Sequence, residues 1–197
     1  MKLLKRFLLV TVVLFSGLAV WGQKPEQKPQ QQLQTVYTSF PDMPFDENTK
    51  LVSYKEVVNL KGSREELYAR ILKWVNKYYS NPVAVIQKAD KENATVVCVS
   101  GIRITSLGGD GKTPIQAGMV YYTFTIEARE GRYRYTITDL YKKETSRFPI
   151  EKWFDNTKPE WSPARYDHLH QIDQFVKKLI AELKEGMLPE KVIIDEW

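Results

Sequence analysis

The stretch that most resembles a known functional motif is glycine-rich and runs from Ser106 to Thr113 as SLGGDGKT. Its end, Gly111-Lys112-Thr113, resembles the loop that holds nucleotide phosphates with backbone N–H groups and a lysine. However, a serine stands where that motif needs its first glycine, and Pro114 follows where the motif opens a helix. Asp110-Gly111 is also a common turn dipeptide. The stretch therefore predicts a flexible hairpin turn and no nucleotide site.

Histidine and cysteine are too few for most metal chemistry. His168 and His170 are the only histidines, and Cys98 is the only cysteine. Residues two apart on a helix point to different sides, whereas a metal-binding histidine pair is spaced four apart. We therefore predict no metal site, no cofactor, exposed polar positions for both histidines, and a buried, inert Cys98 thiol.

Hydrolytic chemistry finds little support in the sequence. The G-x-S-x-G motif of serine hydrolases is absent. Asp139, Asp155 and Glu160 are candidates for a carboxylate pair, but only the fold sets the distances between them. We therefore assign no catalytic residue. The protein is predicted not to be an enzyme, and a hydrolase with an unrecognised active site is the alternative.

Any site must be positioned by the secondary-structure elements of the domain, and the first two predicted elements are a strand and an amphipathic helix. The strand is predicted over 51–58 and the helix from Ser63, because Ser63 and Glu66 have the spacing of a capping box. Proline at position 82 ends the helix. Apolar residues that recur every three or four positions predict one buried stripe: Leu67, Ile71, Trp74, Val75 and Tyr78.

Four more strands and a second helix complete the predicted domain. The strands are expected over 83–89, 94–105, 119–130 and 132–142, with a bulge or bend at Gly101. After a long connection without periodicity, Ser162 is expected to cap a helix that has Pro163 first and ends at Gly186. The order β-α-β-β-β-β-α predicts an α+β fold, with two helices packed on one face of a curved antiparallel sheet.

The last two predicted strands alternate as in a sheet with one buried and one solvated face. The buried face is predicted from an apolar set: Val120, Tyr122, Phe124, Ile126, Ala128, Tyr133, Tyr135 and Ile137. Polar residues dominate the opposite face. There we predict a partner-binding surface made of Tyr121, Thr123, Arg132, Arg134 and Thr136.

The N-terminus has the pattern of a secretory signal peptide over residues 1–22. Lys2, Lys5 and Arg6 precede a short apolar run that ends near a cleavage site after Gly22. Cleavage removes these three bases and no acid, which lowers the formal net charge from +5 to +2. No cysteine follows the run. We therefore predict an exported protein, periplasmic or secreted, that is not a lipoprotein and keeps no transmembrane anchor.

Three segments follow the signal peptide. Residues 23–48 are rich in Gln and Pro and predict a disordered leader, with Phe40 and Met43 able to tack its end onto the domain. Residues 49–186 are predicted to form the domain, and residues 187–197 a tail.

Three sequence segments carry a resemblance to a known family. They are LVSYKEVVNLKGSREELYARILKWV, VYYTFTIEAREGRYRYTITDL and FPIEKW, all between residues 51 and 185. The chain resembles a family of exported bacterial proteins, common in Bacteroidetes, known as a domain of unknown function with a TATA-box-binding-protein-like (TBP-like) fold. The resemblance implies this fold and export. It implies no established activity and no catalytic residues.

The implied fold raises DNA binding through the open sheet face, with Arg103 as a further basic residue. Export and a net charge of only +2 oppose this, because DNA binding of that type needs many residues that neutralise phosphates. We therefore predict no nucleic-acid partner. The predicted function is a non-catalytic module that binds a protein, a peptide or an envelope component.

Overall fold

The computed structural model describes residues 37–189. The predicted signal peptide, leader residues 23–36 and tail residues 190–197 lie outside the described residues. Between residues 37 and 189, no helix is long and apolar enough to cross a membrane.

The described part folds into an antiparallel sheet with helices. Its elements are β1 (Tyr54–Asn59), α1 (Arg64–Tyr78), α2 (Pro82–Val85), β2 (Ile86–Asp90), β3 (Thr95–Leu107), β4 (Pro114–Arg129), β5 (Arg132–Lys143), β6 (Arg147–Pro149), the 3-10 helix Ile150–Phe154 and α3 (Ala164–Gly186). The strand order is β1-β5-β4-β3-β2, and β6 pairs with β5. The predicted α+β class is confirmed. The long connection that lacks periodicity in the sequence contains β6 and the 3-10 helix.

The capping box predicted for α1 is present. Ser63 Oγ accepts a hydrogen bond from the Glu66 N–H at 3.1 Å, and the Glu66 carboxylate accepts one from the Ser63 N–H at 2.9 Å. These bonds satisfy N–H groups that the first helical turn leaves unpaired. Leu67, Ile71 and Val75 behind them are fully buried, so local signals and burial agree on this helix.

The two long helices, α1 and α3, cover the same face of the sheet. Phe124 of β4 is fully buried there and meets the Trp74 ring edge to face, with ring centres 5.9 Å apart. Trp74 donates its indole N–H to the Glu182 carbonyl of α3 at 3.0 Å. A Cβ at Gly186 would lie 2.1 Å from Trp74 Cδ1. Glycine therefore lets the end of α3 approach α1.

Two predicted element boundaries are wrong. Residues 82–85 form a helical turn because the Asn81 side chain accepts the backbone N–H three residues later, at 3.3 Å, so β2 begins at Ile86. Ser162 does not cap α3. Pro163 already has helical backbone angles, and no side chain caps the helix.

The bulge that the sequence offered as one alternative at Gly101 does not form. Gly101 stays in register with Tyr121, and the β3–β4 register shifts between Ile104 and Thr105 instead. A Cβ at Gly101 would lie 2.8 Å from Met119 Cγ. The glycine therefore makes room for the methionine side chain on the neighbouring strand.

Residues 37–48 of the predicted leader pack on the domain. Phe40 contacts Phe154 and Tyr166, with ring centres 5.2 and 4.8 Å apart, and Met43 is buried in the core. Phe40 and Met43 thus attach this segment as anticipated. The prediction of disorder is wrong for residues 37–48, because their apolar side chains find a surface to cover that the local composition did not reveal.

Candidate functional site

Among residues 37–189, no long helix covers the sheet face opposite α1 and α3, which is called the open face below. On β4, Tyr122, Phe124 and Ile126 are fully buried under the helices, whereas the alternate residues Tyr121 and Thr123 lie on the other face. On β5, the predicted partner residues Arg132, Arg134 and Thr136 alternate in the same way with buried tyrosines and Ile137. All five predicted residues therefore share the open face.

Strand register divides these residues into two groups. Tyr121 lies opposite Tyr141, whereas Arg134 lies opposite Glu127. Tyr121 and Glu127 are six residues apart on β4, which corresponds to about 20 Å along a strand. Tyr121 and Arg134 are therefore not adjacent, and the predicted partner-binding residues do not form one contiguous group.

The first group is a tyrosine cluster made of Tyr121, Tyr141, Arg147 and Asp139. The two tyrosine rings stack with centres 5.6 Å apart and planes inclined by 21°. The Arg147 guanidinium lies 3.9 Å from the centre of the Tyr141 ring and pairs with the Asp139 carboxylate. Such a cation over an aromatic face is favourable by about 0.5–1 kcal/mol at exposed sites.

A β-bulge creates the tyrosine cluster. The β4–β5 register shifts between Tyr121 and Thr123, and Asp139 adopts a φ of 55°, a left-handed conformation that aspartate tolerates better than most residues. The extra residue returns Leu140 to the core and turns Tyr141 outward. Sequence reasoning missed this. The available signal was the break in alternation, since Ile137 and Leu140 are three positions apart.

The second group is an arginine cluster made of Arg129, Arg132 and Arg134. Glu127 Oε2 accepts hydrogen bonds from two nitrogens of Arg134. The distance is 2.8 Å to Nε and 2.6 Å to one terminal nitrogen. The cluster lines an open cleft of about 260 Å³ together with Glu127, Tyr133 and Val57 of β1. The cleft is therefore basic with one apolar wall.

The structure also brings a serine and a histidine together. Ser106 Oγ lies 2.8 Å from His168 Nε2, the spacing of a nucleophile and its base. However, His168 Nδ1 is buried and has no hydrogen-bond partner among the described residues, so no acid orients the ring. Next to this pair, the Gln171 amide binds both the N–H and the carbonyl of Thr105, each at 2.9 Å. These contacts hold α3 against β3 at the point where the register between β3 and β4 shifts.

The histidine environments differ from the prediction. His168 is 6% exposed, so the expected exposed position is wrong for this residue. Burial, followed by the positive charges of Arg165 and Lys142, lowers the pKa of His168 to about 4. His170 lies on another side of α3 and stacks on Tyr37 with ring centres 3.6 Å apart.

The glycine-rich stretch forms the turn that the sequence predicted. Asp110 Oδ1 accepts hydrogen bonds from the N–H groups of Lys112 and Thr113, both at 2.9 Å. Gly111 has a φ of 64°, which suits glycine, and Pro114 begins β4 directly. Because a strand follows, no helix N-terminus is present to meet a phosphate.

The remaining sequence candidates do not assemble into a site. No three His, Cys, Asp or Glu side chains of residues 37–189 converge as metal ligands. Cys98 is buried as predicted, and burial raises the pKa of its thiol to about 12. Asp139 pairs with Arg147, and Asp155 pairs with Lys158 at 3.7 Å.

A larger groove of about 810 Å³ lies between α1 and the end of α3. Trp74 and Tyr78 form its aromatic floor, with ring centres 4.8 Å apart, and Arg70 and Lys77 add positive charge. Pro189, the last described residue, is part of its wall. We assign no ligand to this groove, because the chain continues from its wall into residues 190–197, which the structure does not describe.

Comparisons with known proteins agree with this architecture. Residues 54–143 match a family described as a domain of unknown function (DUF4468) with TBP-like fold. No curated protein matches the chain. The chain is similar to the crystal structure of a DUF4468 family protein from Bacteroides ovatus ATCC 8483, with a TM-score of 0.59, 15% identity, and coverage of 76% of this chain and 92% of that one.

A second solved structure has the same fold. The chain is similar to a TBP-like protein from Parabacteroides distasonis ATCC 8503, with a TM-score of 0.55, 17% identity, and coverage of 74% of this chain and 96% of that one. At such identities the likeness concerns the fold and carries no activity. From β1 to the end of β5, the chain therefore matches the model of a family of unknown function, and its fold is TBP-like.

Proposed function

We propose that this protein is an exported, non-catalytic module that binds a protein, a peptide or another envelope component on its open sheet face. The tyrosine cluster carries the proposal. Its stacked rings and guanidinium lie on the face that neither α1 nor α3 covers. Tyrosine and arginine are enriched among the residues that contribute most to binding, because they offer large contact areas with polar ends.

Export is the first part of the proposal. Its support is the basic start, the short apolar run and the small residue Gly22 at the expected cleavage point. We expect protein recovered from the cell envelope or the medium to begin at Gln23 when its N-terminus is sequenced. Protein found in the cytoplasm and still beginning at Met1 would contradict export.

Binding through the tyrosine cluster is the second part. We expect the double variant Tyr121→Ala/Tyr141→Ala to capture at least about tenfold less partner from solubilised envelope than the natural sequence, because loss of two central aromatic contacts costs well over 1.4 kcal/mol. Captured proteins and glycans are quantified by mass spectrometry. Lys178→Ala is the matched control, since this exposed lysine lies on α3, away from the open face. Equal capture by the natural sequence, the double variant and the Lys178→Ala control would contradict the proposal.

A hydrolase is the second candidate, and the contact between Ser106 and His168 is the observation that favours it. We rank it lower because His168 Nδ1 lacks an orienting acid in the described chain, and the serine is not part of either cleft described above. Covalent labelling of Ser106 by a fluorophosphonate, abolished by His168→Gln, would reverse this ranking.

A further inference from the structure

The arginine cluster concentrates positive charge at one end of the open face. Three neighbouring cross-strand rows place Lys55 beside Thr136, Val57 beside Arg134, and Asn59 beside Arg132. On the other side of β5, Arg134 lies opposite Glu127 and Arg132 lies opposite Arg129. On this face, β1, β4 and β5 therefore carry four bases and one acid. Glu130 lies in the turn between Arg129 and Arg132, where its carboxylate accepts the Arg64 backbone N–H at 3.3 Å. Asp90 of β2 is paired with Lys88. The other charged residue of β1, Glu56, turns to the helix side, where it binds Lys184 and Tyr135.

The pair Arg129 and Arg132 is the unusual feature of this cluster. Like charges directly opposite each other on neighbouring strands destabilise a sheet. Glu127 engages Arg134, whereas within residues 37–189 neither Arg129 nor Arg132 forms an ion pair or hydrogen bond with an acid. The fold thus keeps two adjacent guanidinium groups available to an anion from outside.

The cleft between these side chains also has an apolar component. Val57 is 53% exposed and lies in the row next to the paired arginines. An exposed valine contributes nothing to the binding of an inorganic anion, but it offers a contact to a ligand that carries both acidic and apolar groups. The composition of the cleft therefore favours a peptide over a bare phosphate.

We propose that the arginine cluster binds an acidic, extended peptide segment of a protein partner. Arg132 and Arg134 are two residues apart on one strand face, so they are about 6.6 Å apart along β5. Acidic side chains at alternate positions of an extended peptide have the same spacing. Glu127 engages the Nε and one terminal nitrogen of Arg134, which leaves the N–H donors of the other terminal nitrogen for a ligand. Guanidinium groups bind carboxylates through paired N–H donors, which gives this match both strength and orientation. The inference rests on the proposed function and names the chemistry of its partner.

The test uses the purified protein and a fluorescein-labelled peptide, Glu-Thr-Glu-Thr-Glu, followed by fluorescence anisotropy at low salt. We expect saturable binding that Gln-Thr-Gln-Thr-Gln does not reproduce. Arg132→Gln should raise the Kd roughly tenfold, the effect of losing one charge-assisted contact. Its melting temperature should equal or exceed that of the natural sequence, because the repulsion with Arg129 is removed.

Arg103→Gln is the matched control. Arg103 is an exposed arginine on the same face, and its partner Met119 is ten residues, or about 33 Å, from Arg129 along β4. This variant should change the Kd less than about twofold. An equal loss in both variants would reduce the effect to general attraction between opposite charges and overturn the inference. Failure of the acidic peptide to bind would do the same.

Tripolyphosphate separates the two sources of negative charge. If it displaces the labelled peptide at lower concentration than the unlabelled peptide does, the cleft is a phosphate site and the peptide assignment is wrong. Capture of an envelope partner that depends on Tyr121 and Tyr141, without any binding of the acidic peptide, would remove this inference and leave the proposed function intact.

Discussion

Phe124→Ala is expected to lower the free energy of unfolding by about 3–5 kcal/mol, measured by urea denaturation at neutral pH. Phe124 is fully buried at the middle of β4, under the edge of Trp74. Truncation removes a large apolar side chain and leaves a cavity that the packed helices cannot fill completely. Since domains are stable by only about 5–15 kcal/mol, this loss brings the protein close to unfolding.

Tyr121→Ala is the control for this experiment because Tyr121 precedes Phe124 on the opposite face of the same strand. It should lose only its stacking with Tyr141, an interaction of about 0.5–1.5 kcal/mol. A larger loss from Tyr121→Ala than from Phe124→Ala would mean that the assignment of buried and open faces is reversed. The proposed binding surface would then be wrong as well.

The second large effect is a dependence of stability on pH that arises from His168. The folded protein keeps this imidazole neutral down to its lowered pKa of about 4, whereas the unfolded chain takes up a proton near the ordinary value of 6.5. The stability that His168 contributes is therefore complete above pH 6.5 and is lost as the pH falls toward 4. The expected loss is about 3 kcal/mol, at about 1.4 kcal/mol for each pH unit.

His168→Gln isolates this effect, since glutamine does not titrate and its amide can still reach Ser106. Urea denaturation at several pH values between 4 and 7 should give a shallower slope for the variant than for the natural sequence. Glu151 acts in the opposite direction, because burial raises the pKa of its carboxyl, but it is present in both proteins and cancels. Identical slopes would contradict the neutral, buried state of His168.

The tyrosine cluster differs from the binding surface that the sequence predicted. Alternation placed Tyr121 and the arginines of β5 on one face correctly, because side chains on a strand point to opposite faces in turn. It gave no information on which residues are neighbours across strands. Arg147, which contacts Tyr141, lies in a connection that lacked periodicity in the sequence.

The sequence alone determined those parts of the fold that depend on residues close together along the chain. The Ser63–Glu66 capping box and the stripe behind it specify α1 within about four turns of chain, and the alternation in β4 and β5 specifies which face is buried. The Asp110-Gly111 turn was equally readable, because its hydrogen bonds join residues within three positions of each other. Each of these features is set by neighbours along the chain.

Only the tertiary structure decided which distant residues meet. The contact of Ser106 with His168 joins positions 62 residues apart, and the burial that lowers the pKa of His168 comes from the packing of α3 on the sheet. The bulge at Asp139 shifts the alternation of side chains along β5, so that Tyr141 points to the open face. The register between β4 and β5 places Arg129 opposite Arg132. Register and phase depend on how separate strands pair, and one extra residue moves every following side chain to the other face.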